Sequence, residues 1–114
     1  MSDERRATGL AGEDVAAAYL RSIGYVIVRR NLRGPGGEID VVARDGATIV
    51  FVEVKARRTR TYGSAVSAVD ARKRGRIRAV AADWLQFFAP EAIARFDVLA
   101  LDGERVRHVR DAFR

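Results

Sequence analysis

The segment IVFVEVKAR, residues 49–57, delivers an acid and an amine to the end of a hydrophobic strand. Glu53 and Lys55 are separated by one residue, and side chains two apart on a strand project from the same face. Asp40 lies in the preceding apolar segment, EIDVVAR. Two carboxylates beside a lysine could hold a hard divalent cation and a phosphate. The ordinary alternative is an exposed strand end where Glu53 pairs with Lys55, and the weak acid-x-Lys pattern alone favours that alternative slightly.

A hairpin must bring Asp40 to Glu53. The segments EIDVVAR and ATIVFVEVKAR flank Asp45-Gly46, the strongest short-range signal for a two-residue turn. This turn would pair Arg44 with Ala47, placing Asp40 opposite Phe51 and diagonal to Glu53. A turn of three or five residues would instead separate the two acids onto opposite faces.

The predicted register gives each face of the hairpin its own residues. One face carries Glu38, Asp40, Val42, Ile49, Phe51, Glu53 and Lys55, and the other carries Ile39, Val41, Val50, Val52 and Val54. Like charges that crowd a partly buried face destabilise it or raise a pKa unless a cation lies between them. The crowding therefore favours a Mg²⁺ site, with Mn²⁺ as an equivalent cofactor.

The remaining elements follow from periodicity. Apolar residues at helical spacing predict one helix in GLAGEDVAAAYLRSIGY, and a second from Ser67 or Asp70 to about Phe88, stopped by Pro90. Strands are predicted in YVIVRRN, RFDVLAL and RVRHVR. This order predicts a single α/β domain with a mixed central sheet flanked by helices. We place it at residues 9–114, after a flexible N-terminal tail at residues 1–8.

The amino-acid composition limits the partners and the chemistry that this chain can have. The 114 residues carry a formal charge of +6, which favours a polyanionic partner such as nucleic acid, although a solvated basic surface is an equal explanation. The chain has no cysteine, which excludes thiolate chemistry and disulfides. Without an apolar run or leader-like start, we expect a cytoplasmic protein with no membrane partner.

Six ordered blocks carry a family resemblance. They are GLAGEDVAAAYL, GYVIVRRNLR, GGEIDVVARDG, IVFVEVKAR, RFDVLAL and HVRDAF, and they span almost the whole chain. Together they resemble the YraN-type family of restriction-endonuclease-like proteins, which is similar to archaeal Holliday-junction resolvases. Asp40 with Glu53-Val54-Lys55 resembles the D-(D/E)xK signature of that fold. Ile39 stands where many relatives outside this group have proline, a residue with no part in hydrolysis.

The resemblance implies roles for individual residues. It implies that Asp40 and Glu53 bind the metal with the Val54 carbonyl, that Glu13 on the first helix joins them, and that Lys55 orients or deprotonates the attacking water. From the sequence alone, Glu13 is better explained as a first-turn acid that the helix dipole favours, and the family resemblance reverses that preference. Glu38 could hydrogen-bond the groups that bind the metal, or it could be a solvated strand residue.

Basic residues flank this region. Arg57, Arg58, Arg60 and Tyr62 follow Lys55 directly, and a second basic run surrounds the start of the second helix: Arg72, Lys73, Arg74, Arg76 and Arg78. Both groups could contact nucleic acid, the second chiefly through Lys73 and Arg74. A solvated helix face is the more usual explanation for the second run. We expect structural roles for Asp97 and for the single histidine, His108.

The sequence therefore predicts a metal-dependent endonuclease that acts on nucleic acid, with DNA as the favoured partner. Branched or structured DNA is the substrate that the resolvase likeness implies, and cleavage of a junction would require a homodimer. A non-catalytic nucleic-acid-binding module that has kept the fold is the first alternative. A protein-interaction scaffold with an incidental basic surface is the second.

Overall fold

Helices and strands occupy most of the described chain, which comprises residues 2–56, 71–103 and 105–113 in a computed structural model, with side chains described from residue 12. The elements are α1 (Ser2–Ser22), β1 (Val26–Gly34), β2 (Gly37–Asp45), β3 (Thr48–Ala56), α2 (Ala71–Phe88), β4 (Ala94–Asp102) and β5 (Arg105–Phe113).

The strands form one sheet in chain order, β1-β2-β3-β4-β5. All neighbours pair antiparallel except β3 and β4, which run parallel because α2 lies in the crossover between them. The predicted fold class is thereby confirmed: the chain forms one α/β domain with a mixed sheet and a helix on each face, consistent with a restriction-endonuclease-like fold. No helix in the described ranges has the length and apolar character needed to cross a membrane.

Each helix covers its own face of the sheet. Ala16 and Leu20 of α1 pack on Val41, Val50 and Val52. On the opposite face, a buried stripe of α2 packs on Val42, Phe51 and Val98; its members are Ile77, Val80, Ala81 and Trp84. Alternation along β3 therefore sends odd and even residues to different helices, as the predicted parity requires.

The ends of the helices follow local rules. Gly24 has φ 92° and follows α1, where its N–H donates to the Arg21 carbonyl and the next N–H, of Tyr25, donates to Leu20. This is the left-handed cap that glycine accommodates without a Cβ clash. At the other end of α1 the backbone of residues 2–8 is helical; the flexibility predicted for this segment stays a prediction.

The β2–β3 turn differs from the prediction. Asp45 pairs with Thr48, so the turn residues are Gly46 and Ala47 rather than Asp45 and Gly46. Gly46 has φ 62° and is the first central residue, where a type II′ turn requires glycine. The predicted register was therefore wrong by two residues, an even shift that keeps every side chain of the ladder on its predicted face.

Beyond the ladder, one residue departs from the predicted faces. The β2–β3 pairing ends at Val41–Val52, and Ile39 packs with the α2 cluster instead of the α1 cluster. Ile39 pairs with Leu32 of β1, a member of the same cluster. Pairing on one side only thus leaves this part of β2 less constrained than the central ladder.

Candidate active site

Asp40 and Glu53 follow directly after the last pair of the β2–β3 ladder, one on each strand. The corrected register places them across from each other instead of diagonally. The Asp40 Oδ2 accepts a hydrogen bond of 2.8 Å from the backbone N–H of Val54, which fixes the carboxylate against β3. The hairpin alone therefore brings the two acids together.

Asp40 is difficult to ionise in this position. Burial, and then the negative charge of Glu53, raise its pKa to about 7. The Val54 N–H partly opposes that rise, and the charges of Glu38 and Glu13 add to it. A bound cation would remove the cause of the rise, since it replaces repulsion among carboxylates with attraction.

Glu53 is buried, with 8% of its side chain exposed, and its two oxygens differ. Oε1 lies 2.7 Å from the Lys73 Nζ and 3.8 Å from the Lys55 Nζ. Oε2 is fully buried and has no hydrogen-bond partner among the described residues. An ionised oxygen without a partner is costly to bury, which marks this atom as one that a ligand could satisfy.

The two lysines differ in pKa. Burial, and then the hydrogen bond and charge of Lys73, lower the pKa of Lys55. For Lys73, burial opposes the charged form but is outweighed by the hydrogen bonds to Glu53 and Lys55, so its pKa is raised. Lys73 is therefore the more basic amine of the pair. Lys55 is the amine that loses its proton more readily.

Glu13 lies at the edge of this group. Its carboxylate is 3.8 Å from the Arg30 guanidinium, and its charge reaches Asp40. The Asn31 amide, with its nitrogen turned toward the carboxylates, donates to Glu13 at 3.1 Å and to Glu38 at 3.2 Å. Asn31 therefore ties α1 to β2, a role the sequence analysis missed. The only signal in the sequence is an asparagine within a strand pattern. Asparagine tolerates positive φ, and the structure has φ 55° at Asn31.

A cleft of about 480 Å³ opens onto the acids between the β1–β2 turn and the start of α2. Glu38, Asp40 and Glu53 lie on its sheet side. Arg72, Lys73 and Arg76 lie on its helix side. The arginines belong to the basic run of α2, from which Lys73 and Arg74 were the predicted contacts. Arg72 and Arg76 are four residues apart, so they are neighbours on one flank of α2, beside buried Ile77.

The predicted nucleic-acid contacts fall into two groups, on α2 and in the segment after β3. Lys73 contacts Glu53, and the Arg74 guanidinium lies over the Phe113 ring, 5.4 Å from its centroid. The predicted loop contacts lie outside the described residues: Arg57, Arg58, Arg60 and Tyr62.

The predicted metal ligands do not form one compact set. Within the ranges that the structure describes, no group of three or more His, Cys, Asp or Glu side chains is arranged to hold a metal ion. Asp40 and Glu53 adjoin each other, while Glu13 is held by Arg30 and Asn31. Mg²⁺ commonly takes only one or two protein carboxylates and completes its shell with waters and phosphate oxygens. The pair and its unpartnered oxygen fit that requirement.

A second polar network lies on the α1 face. Asp97 is fully buried; its carboxylate is 2.7 Å from the His108 Nε2 and accepts from the Arg95 Nε and the Asp111 N–H at 3.0 Å each. Burial acts against ionisation of Asp97, but the hydrogen bonds from His108 and Arg95 outweigh it and lower the pKa. Tyr19 OH lies 3.2 Å from the other His108 nitrogen. This arrangement fits the structural role expected for Asp97 and His108.

Comparison with known proteins assigns the family. A model of the uncharacterised protein family UPF0102 matches residues 12–101. The chain belongs to UPF0102. This family is the YraN family, so the resemblance predicted from the six sequence blocks is confirmed.

Relatives within UPF0102 align over almost their full length. The chain is 46% identical to a UPF0102 protein of Geobacter sulfurreducens, over 98% of the chain and 92% of the relative. It is 48% identical to one of Ralstonia pickettii, over 94% and 90%. It is 50% identical to one of a Parafrankia species, over 92% and 94%. The chain thus covers nearly the full length of these UPF0102 proteins.

Proposed function

We propose that this UPF0102 protein is a metal-dependent nucleic-acid phosphodiesterase, an endonuclease acting on DNA. The observation that carries the proposal is the buried Glu53 carboxylate, whose Oε2 lacks a partner in the described structure while Asp40 adjoins it. If these residues served stability alone, the buried oxygen without a hydrogen-bond partner would lower the free energy of unfolding with nothing gained in return.

The residues have distinct roles in the proposed hydrolysis. Asp40 and Glu53 would hold Mg²⁺ or Mn²⁺, which when bound supplies positive charge to the phosphate and a more acidic water. Lys55, whose pKa is lowered, suits the orientation or deprotonation of the attacking water. Lys73 neutralises Glu53, and Arg72 and Arg76 offer their guanidinium groups to flanking phosphates across the cleft.

The test joins metal binding to cleavage. Titration calorimetry with Mg²⁺ and Mn²⁺ is expected to show binding to wild type and none to Asp40→Asn or Glu53→Gln. The same proteins are then incubated with labelled linear, flapped and four-way DNA. Wild type should cleave at least one of these only with metal present, and both variants should lose cleavage. Lys55→Ala should retain metal binding and lose turnover.

Glu91→Gln provides the matched control, because Glu91 is an exposed acid outside the cleft. It should behave as wild type in both assays. Cleavage retained in both carboxylate variants would reject the proposed site.

One observation favours a second candidate function, that of a non-catalytic nucleic-acid-binding module. The Lys73 ammonium already lies 2.7 Å from Glu53, so one carboxylate is neutralised without metal. This candidate predicts DNA binding that weakens steeply with salt, no turnover, and no dependence on Asp40. Absence of metal binding in wild type, even with DNA present, would favour it over the endonuclease.

A further inference from the structure

Phe87 and Phe88 form an exposed aromatic patch at the end of α2. Their exposed fractions are 85% and 68%, values unusual for phenylalanine in a folded domain. The Phe88 ring packs on Trp84 with centroids 5.3 Å apart, and Phe87 lies 6.4 Å from Phe88. Trp84 therefore supports Phe88, while the ring of Phe87 is almost entirely accessible.

The patch borders a groove of about 200 Å³ whose walls carry charge. Leu32, Pro35, Val80 and Trp84 supply its apolar lining, and the side chains of Arg29 and Arg33 are exposed beside them. Arg33 has 81% of its side chain exposed. Asp83 is the acid of the lining. Flat rings flanked by arginines suit a base with its phosphates better than an apolar protein surface.

The groove continues toward the acids. The β1–β2 turn borders both spaces, with Gly34 and Pro35 on the aromatic groove and Gly36 and Gly37 on the acidic cleft. α2 borders both as well, because Lys73 and Arg76 line the cleft and Trp84 and Phe87 line the groove. One nucleic-acid strand could therefore follow α2 from the acids to the patch.

The length of this path sets a spacing. Fourteen residues separate Lys73 from Phe87, or about 21 Å at about 1.5 Å per helical residue. At about 3.4 Å per nucleotide of one strand, this corresponds to roughly six nucleotides. Bases paired in a duplex are stacked on their neighbours, so a protein ring can stack only on a base that is unpaired or at an end.

We propose that the aromatic patch stacks on an unpaired base, so that the substrate of the acidic cleft is a nucleic acid with a single-stranded segment about six nucleotides from the scissile phosphate. The inference rests on the proposed function and specifies its substrate class. Phe87 is the main stacking residue, Phe88 is held behind it by Trp84, and Arg29 and Arg33 contact the adjacent phosphates.

The test measures binding without metal, so cleavage does not affect it. Fluorescence anisotropy in EDTA compares a blunt DNA duplex with the same duplex carrying a single-stranded tail of about ten nucleotides. Wild type is expected to prefer the tailed duplex. Phe87→Ala should weaken binding of the tailed duplex by about 5- to 150-fold, corresponding to roughly 1–3 kcal/mol for one stacked base. It should weaken blunt-duplex binding much less, because a blunt duplex offers the ring only its terminal base pairs.

Two further variants separate stacking from general hydrophobicity. Phe87→Trp keeps a ring and should retain the preference for the tail. Ile93→Ala removes another exposed apolar side chain, 75% exposed and outside the groove, and should have no effect. Equal weakening by Ile93→Ala would overturn the inference.

The remaining outcomes distinguish this inference from the proposed function. If Phe87→Ala binds both duplexes as wild type does, the stacking inference fails, while the Asp40-dependent cleavage test stands independently. If Phe87→Ala instead converts a dimer to a monomer on size exclusion and binding is unaffected, the patch contacts a second copy and the inference fails. If wild type binds neither duplex in EDTA, the inference fails, and the proposed function is decided separately by the metal-dependent cleavage test.

Discussion

Replacement of Asp40 with asparagine should stabilise the metal-free protein at neutral pH. The pKa of Asp40 is about 7 in the folded chain, because of burial and of Glu53, against 3.8 for an ordinary aspartate. Between these two pH values the folded state holds a proton that the unfolded state has lost. The contribution of Asp40 to folding stability therefore falls as pH rises from about 4 to about 7, and is constant above that range.

The size of the effect follows from the pKa. A rise of about three pH units corresponds to about 4 kcal/mol at about 1.4 kcal/mol per unit, and solvent relaxation around the partly buried carboxyl reduces this to about 2–4 kcal/mol. Asparagine keeps an oxygen that can accept the Val54 N–H. The variant should thus match wild type near pH 4 and exceed its free energy of unfolding by about 2–4 kcal/mol near pH 8.

The assay is urea unfolding in EDTA at several pH values, followed by the fluorescence of Trp84, the single and nearly buried tryptophan. Glu91→Gln controls for loss of one surface charge and should show a small difference that is constant with pH. A difference between Asp40→Asn and wild type that does not grow with pH would refute the reasoning. Added Mg²⁺ should stabilise wild type only, since the variant has lost a proposed ligand.

Three further predictions follow from single contacts. Lys73→Gln should lower the free energy of unfolding of the metal-free protein by about 1 kcal/mol in urea titrations, because Glu53 loses its 2.7 Å partner. The effect is modest because the lysine is partly exposed, and an unchanged free energy of unfolding would show that the pair does not stabilise the fold. Asp97→Asn should destabilise by about 2–4 kcal/mol at neutral pH, and less as pH falls through the lowered pKa, while calorimetry shows unchanged Mg²⁺ binding on the opposite face. Gly34→Ala should lower the thermal midpoint, at a cost of about 1–3 kcal/mol, because its Cβ would lie 3.0 Å from Val80. Gly75→Ala, which meets no atom within 4 Å and lies within α2, should raise it, and a reversed order of the two would refute the packing argument.

Local patterns in the sequence predicted most of the fold. The apolar spacing from Ile77 to Trp84 predicted the buried stripe of α2, and Pro90 predicted its end. The parity of β3 was predicted because alternation depends only on whether the turn length is even. The register was not predicted correctly, since Gly46 can be either the second or the first central residue of a two-residue turn. The observed pairing of Asp45 with Thr48 shows that it is the first.

The candidate site was predictable only where neighbours in sequence are neighbours in space. The proximity of Asp40 and Glu53 follows from one hairpin. The contact of Lys73 with Glu53 depends on how α2 docks, and Asn31 reaches two carboxylates from two other elements, so no local pattern specifies either. A basic run predicts that some cations face the site. Which ones face it depends on how Ile77 packs: Arg72 and Arg76 line the cleft, whereas Arg74 lies over Phe113.

The parallel pairing of β3 with β4 has a consequence for the order of folding. The β2–β3 hairpin closes over a two-residue turn, whereas β3 and β4 can pair only after residues 57–93 have been traversed. Short loops close faster than long ones, so the hairpin carrying both acids has the kinetic advantage over the crossover that delivers Lys73. The two carboxylates therefore meet before their neutralising ammonium arrives. Early in folding their repulsion opposes the hairpin, and protonation or a bound cation would speed that first step.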